Sequence, residues 1–179
     1  MTNKIQYNKF VCEFYNELNK EEEISNLFFL CIGTDRITGD CFGPIVGAKL
    51  KKKFLNSNKS VNVYGTLEKP VVSSNLESNI KEIYNKNTSP FIIAIDAALS
   101  NKENIGKIVV ESKPMETGKG IKKHNLKIGN ISIKAIIGKK EKNIKKSMDL
   151  LQNISLNMVL NMADTVSNGI IEVLNDIYV

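Results

Sequence analysis

An unbroken apolar run from Leu27 to Ile32, closed by Gly33, predicts a strand buried on both faces. Beyond it Phe42, Val46 and Leu50 share one stripe of helical spacing, so a helix is expected over Phe42 to Leu55, with Pro44 tolerated in its first turn. Val61 to Gly65 alternates as a second strand, Leu76 to Tyr84 reads as a second helix, and Phe91 to Asp96 is another apolar strand, this one ending in a carboxylate. The order so far is βαβαβ. Two further strands are expected at Lys107 to Glu111 and Ile131 to Ile137, separated by a Gly/Lys-rich loop from Lys113 to Lys127. From Asn143 to Leu174, Met148, Leu151, Met158, Met162, Val166 and Ile170 recur at steps of three and four, which fits one long helix or two consecutive ones. Ile5, Phe10, Phe14 and Leu18 mark a leading amphipathic helix within residues 1–25, outside the strand–helix alternation.

Alternation of this kind predicts an α/β fold: a three-layer α/β/α sandwich around a mostly parallel sheet of about five strands. At 179 residues the chain is expected to form a single domain over 1–179, with a leading helix at 1–25 and an α/β core at 27–179. Such sheets bind ligands beyond the carboxyl ends of their strands.

Composition narrows the function classes. The cysteines, Cys12, Cys31 and Cys41, are odd in number and contain no C-x-x-C pair, which argues against a disulfide framework or a zinc ribbon and for a reducing, cytoplasmic setting. No secretory leader is expected, and no apolar run approaches the ~18 residues a membrane span needs. The formal charge of +6 is spread over dispersed lysines without interleaved aromatics, so nucleic acid is not the expected partner. The densest clusters, Lys51-Lys52-Lys53 and residues 139–146, read as solvated faces. Of the 25 basic residues 24 are lysine; the single arginine, Arg36, lies in the glycine-rich loop after the first strand, where a planar guanidinium suits a bidentate contact to a carboxylate or phosphate.

That loop, Gly33 to Pro44, is not a phosphate loop. Gly39 is followed by Asp40 and Cys41 rather than by Lys-Ser/Thr, and an aspartate beside a helix N-terminus would oppose a bound phosphate. Three of the six aspartates, Asp35, Asp40 and Asp96, sit at two strand ends that a parallel sheet opens onto one edge. Two carboxylates facing one cleft can share a proton and activate water. At longer separation they would ligate a divalent metal. The plainer alternative is that Asp40 caps the helix and Asp96 binds amides of its own turn. His124, the only histidine, is a candidate third ligand or base, or a solvated loop residue. A Cys-His pair and a G-x-S-x-G serine nucleophile are both lacking.

At five ordered motifs the chain resembles the YyaC-like sporulation protein family, which is labelled spore protease-like. These are Cys31-Ile-Gly-Thr-Asp-Arg-Ile-Thr-Gly-Asp40 with Gly43-Pro44; Val63-Tyr-Gly-Thr-Leu with Pro70-Val71; Ile93-Ala-Ile-Asp96-Ala; Gly118-Lys-Gly120; and Leu151-Gln-Asn with Asn161-Met-Ala-Asp164-Thr. That family is similar to the germination protease of spores and, more distantly, to hydrogenase-maturation endopeptidases, all of phosphorylase/hydrolase-like fold. The resemblance implies that Asp40, in Thr-x-Asp-x-x-Gly-Pro, and Asp96, in Ile-Asp-Ala, are catalytic, with Thr34, Asp35, Arg36 and Gly43 supporting them or binding substrate. By the maturation-type comparison, a divalent metal would be held by Asp40, Asp96 and His124. It further implies a protein or peptide substrate, of the small acid-soluble spore protein class, in the forespore or mother cell.

Three functions follow as expectations: an endopeptidase with an aspartate pair, a catalytically inactive peptide-binding member of the same fold, and a metal-dependent endopeptidase. Oligomeric state stays open.

Overall fold

The computed structural model describes residues 2–21, 24, 26–55, 57, 60–116 and 127–177. Helix α1 (Thr2–Leu18) leads into β1 (Leu27–Cys31), a 3-10 turn (Thr38–Cys41), α2 (Phe42–Phe54), β2 (Val61–Tyr64), α3 (Leu76–Lys86) and β3 (Phe91–Ser100). The second half holds β4 (Ile108–Glu111), β5 (Met115–Glu116), β6 (Lys127–Ile128), β7 (Ile131–Lys139), α4 (Ile144–Gln152) and α5 (Leu156–Ile177). A five-stranded sheet in the order β2-β1-β3-β7-β4 forms the middle layer, with β2, β1, β3 and β7 parallel and β4 antiparallel on the β7 edge. The expected mostly parallel α/β architecture is the one observed.

The two faces are covered unequally. Phe29, Cys31, Ile93, Ile95 and Ile133 turn toward α1, α2 and α5, where they meet Phe14, Phe42, Val46, Val166 and Ile170 in the larger core. Phe28, Leu30, Ile92 and Ala94 turn the other way and pack with Leu76 and Ile83 of α3 and with Met115 and Ile128 of the β5–β6 ribbon. Burial on both sides is why these strands read as continuous apolar runs instead of alternating ones. Helix α1 stands outside the strand–helix alternation but shares the larger core: Phe10, Phe14 and Leu18 are all buried.

Two elements differ from expectation, and one open alternative is decided. Strand β3 does not end at Asp96; it runs on to Ser100 because Ala97 to Ser100 continue the ladder with β7 across a register shift between Ala98 and Leu99. The C-terminal methionine-rich segment is two helices, separated where Asn153 N–H donates back to Asp149 and Leu150 and the Ser155 hydroxyl accepts from the Met158 N–H. Of its stripe, Met162, Val166 and Ile170 are buried, whereas Met148 lies toward solvent. The β5–β6 ribbon was not expected from two-residue strands; the insertion of Met115 and Ile128 into the α3-side core is what holds it.

Candidate active site

Strand order decides where a site can form. From β1 the chain crosses to β2 on one side, whereas β3 continues to its partners on the other, so the crevice of this sheet opens beyond the carboxyl ends of β1 and β3. The loop after β1 is built tightly against that point. Ile32 N–H donates to Ile95 C=O at 2.7 Å, Gly33 N–H to Val71 C=O at 2.8 Å, and Thr34 N–H to Asp40 C=O at 3.1 Å. Gly33 has φ of 138°, and a Cβ on it would lie 2.0 Å from the Asp40 carbonyl oxygen, so only glycine lets the loop double back there. Gly43, in the first turn of α2, comes as close to the backbone of Ile32: a Cβ would sit 2.1 Å from its oxygen. The Pro70-Val71 motif is explained by the same floor, since Val71 both accepts from Gly33 and bridges Ile32 in parallel.

Asp40 sits on the 3-10 turn that packs against β3, α4 and α5. It does not cap α2. The residue at the cap position is Cys41, which makes no side-chain capping bond and instead directs its thiol to the Thr38 carbonyl at 2.9 Å. Burial raises the Asp40 carboxyl above its ordinary pKa, opposed by a Thr34 backbone N–H. Asp96 lies within β3 on the α3 side of the sheet, by its alternation with Ile95, and is raised further. Part of the residue reaches solvent, but its carboxyl is deep enough that burial is the largest cause, with the negative charge of Asp40 second; the Ala97 N–H and Lys134 oppose them. The two carboxyls therefore sense one another, the condition under which a pair holds one proton between them.

The other expected residues separate into support and rim. Thr34 Oγ1 lies 3.4 Å from Asp35 Oδ1 and accepts from the Arg36 N–H at 3.3 Å, so Thr34 shapes the loop. The side chains of Asp35 and Arg36 are exposed. The amides of Gly33, Thr34 and Arg36 are all engaged within the loop. His124 and the Gly118-Lys-Gly120 motif lie outside the described residues. Among the described residues no three His, Cys, Asp or Glu side chains cluster as a metal site.

Two residues that belong here were missed by sequence reasoning. Lys134 of β7 is the register partner of Asp96, and its ammonium bonds Glu111 Oε2 of β4 at 3.1 Å. Its signal was available: Lys134 is the single charged residue in the run Ile131 to Ile137. Asp164, from the last motif, instead joins α5 to α2 through Lys49 at 2.7 Å. A cavity of about 350 Å³ lined by Lys4, Tyr7, Asn161, Asp164, Thr165 and Asn168 follows the α1–α5 seam and contains neither Asp40 nor Asp96. Its one carboxylate, Asp164, is already paired with Lys49.

A family described as a protein of unknown function, DUF1256, matches residues 1–169. The chain belongs to the DUF1256 family. Among proteins similar to this DUF1256 member is the uncharacterized protein YyaC of Bacillus subtilis, 38% identical over 143 residues, which are 79% of this chain and 66% of YyaC. The chain thus spans just under two thirds of that relative's length. Among solved structures, the NiFe hydrogenase maturation protease HycI of Thermococcus kodakarensis is similar with a TM-score of 0.55 and 16% identity, over 86% of this chain and 95% of that one. At that identity the likeness establishes the fold, which is protease-like, and leaves the activity of this DUF1256 member to be argued from its site.

Proposed function

We propose that the protein is an endopeptidase in which Asp40 and Asp96 share one proton and activate water on a peptide carbonyl. The observation that carries this reading is the placement of two half-buried aspartates at one crevice, Asp40 on the turn after β1 and Asp96 in β3, with burial pushing both carboxyls upward. Ionised Asp40 takes a proton from water as it attacks the carbonyl carbon. Protonated Asp96 donates to the carbonyl oxygen; as the C–N bond breaks, the proton held by Asp40 passes to the departing amine and a hydroxyl proton of the intermediate returns to Asp96, which leaves the product acid and restores the pair. Likeness in fold to a maturation protease supports a peptidase, and the resemblance of the motifs to YyaC-like sporulation proteins extends the proposal to a spore-forming cell, with a protein of the small acid-soluble spore class as substrate.

The test is cleavage of small acid-soluble spore proteins and of a proteome-derived peptide library by the purified full chain, with cut sites located by mass spectrometry. Cuts that disappear in Asp40→Asn and in Asp96→Asn, and survive a chelator, are the expected result. Loss on chelation with recovery on one added divalent ion would replace the shared proton by a metal. Tight peptide binding with no cut under any condition would make the protein a binding module.

A further inference from the structure

The lysines of residues 139–146 acquire a meaning from their position. Strand β7 ends at Lys139, opposite Ser100 at the end of β3, and Lys140 N–H donates to the Ser100 carbonyl at 2.8 Å. The cluster therefore stands at the same edge of the sheet as the carboxyl pair. Helix α4, which continues from it, packs on the turn that carries Asp40: a Cβ on Gly39 would lie 2.9 Å from Leu151 Cδ2 and 2.8 Å from Ile137 Cδ1. Lys139, Lys140, Lys142, Lys145 and Lys146 are all exposed, with a single acidic residue, Glu141, among them. Among the described residues only Lys139 of the five has an ion-pair partner, Glu141 at 3.4 Å.

Folding alone does not account for this placement. Lys51, Lys52 and Lys53 occupy the last turn of α2, where the helix dipole welcomes cations. Lys145 and Lys146 stand in the first turn of α4, where the dipole and the neighbouring lysines both repel them, and that turn contains no acid. Like charges gathered against the dipole at the rim of a site are relieved by an anionic ligand.

We propose that this cluster recognises an acidic segment of a protein substrate lying across the crevice. The placement rests on the peptidase reading for the position of the scissile bond. From Asp96 to Ser100 is four residues of strand, about 13 Å at 3.3 Å per residue. An extended substrate of the same pitch then sets its acidic residues about four positions from the bond cleaved. A nucleic acid fits less well, because its phosphates would run on from the lysines over Asp35 and Asp40, and no aromatic side chain occurs from Lys139 to Gln152 to stack a base.

The test measures binding without hydrolysis, so its result is separate from the fate of the peptidase reading. Full-length Asp96→Asn protein is titrated, by fluorescence anisotropy, against a fluorescein-labelled twelve-residue peptide carrying four glutamates at one end and against its glutamine counterpart. The expected result is at least tenfold tighter binding of the glutamate peptide, weakened by salt and abolished by adding Lys140→Gln, Lys142→Gln, Lys145→Gln and Lys146→Gln. A variant with Lys51→Gln, Lys52→Gln and Lys53→Gln should retain it, which controls for net charge, and unchanged circular dichroism confirms that both variants fold. Equal binding of the two peptides, retention in the four-lysine variant, or equal loss in the control variant overturns the proposal. So does tighter binding of a single-stranded DNA 12-mer through the same four lysines.

Discussion

Gly43→Ala is the substitution for which two physical effects predict opposite signs. Residue 43 is helical, in the first turn of α2, so by intrinsic propensity alanine would stabilise the chain by about 1 kcal/mol. Against this, the new Cβ would lie 2.1 Å from Ile32 O and 2.9 Å from Ile32 N, where ordinary contact begins at 3.4 Å. Relief needs a displacement of about 1.3 Å, the difference between 3.4 and 2.1 Å, between two backbones. Ile32 cannot retreat freely, because its N–H is bonded to Ile95 at 2.7 Å and the next residue to Val71 at 2.8 Å. Overpacking at about 1–3 kcal/mol plus about 1 kcal/mol for one weakened hydrogen bond outweighs the helical gain. The expected net loss is about 1–3 kcal/mol, or a Tm fall of about 2–12 °C for a chain of this size. Thermal unfolding measures it, and faster hydrogen exchange at Ile32 and Gly33 should locate the disturbance. A Tm equal to or above the wild type would refute the argument that backbone contact, not helix propensity, governs this position.

The carboxyl pair makes further predictions that need no substrate. Because Asp40 and Asp96 are both raised, the folded protein holds protons at pH values where the unfolded chain has released them, and stability falls as pH rises from the ordinary aspartate range through the folded values. Asp96→Asn should therefore stabilise the protein at pH 7, with the gain shrinking toward pH 4; urea denaturation at both pH values checks this, and a destabilised variant at pH 7 would contradict it. Glu111→Gln should leave the Lys134 ammonium to Asp96 alone and lower the pH at which Asp96 titrates. Carbon-13 NMR of the aspartate carboxyls reads that shift, and an unchanged or higher midpoint would show that Lys134 does not act on Asp96.

Much of the sheet was legible because burial on both faces leaves a local trace. Leu27 to Ile32 and Phe91 to Ile95 carry no polar residue, which is what a strand between two helical layers requires. The two aspartates were legible for a similar reason: a carboxylate interrupting or following such a run has a desolvation cost that invites a chemical role. The limits lay where a fact depends on pairing. Nothing local distinguishes an aspartate that ends a strand from one followed by four more paired residues, because β7 supplies the partners of Ala97 to Ser100 from 38 or more residues away.

By itself, then, the sequence determined the alternation of strands and helices, the glycine loop after the first strand, and Asp40 and Asp96 as the residues to examine. Only the tertiary structure decided that Asp40 leaves its helix uncapped, that Lys134, paired with Glu111, stands beside Asp96, and that the lysines of 139–146 begin at the carboxyl end of β7 while those of 51–53 end a helix. The reason is range. Periodicity and turn chemistry act over a few residues, but the field at a carboxyl is set by every charge and every desolvating atom within several ångströms, and strand order alone chooses those neighbours.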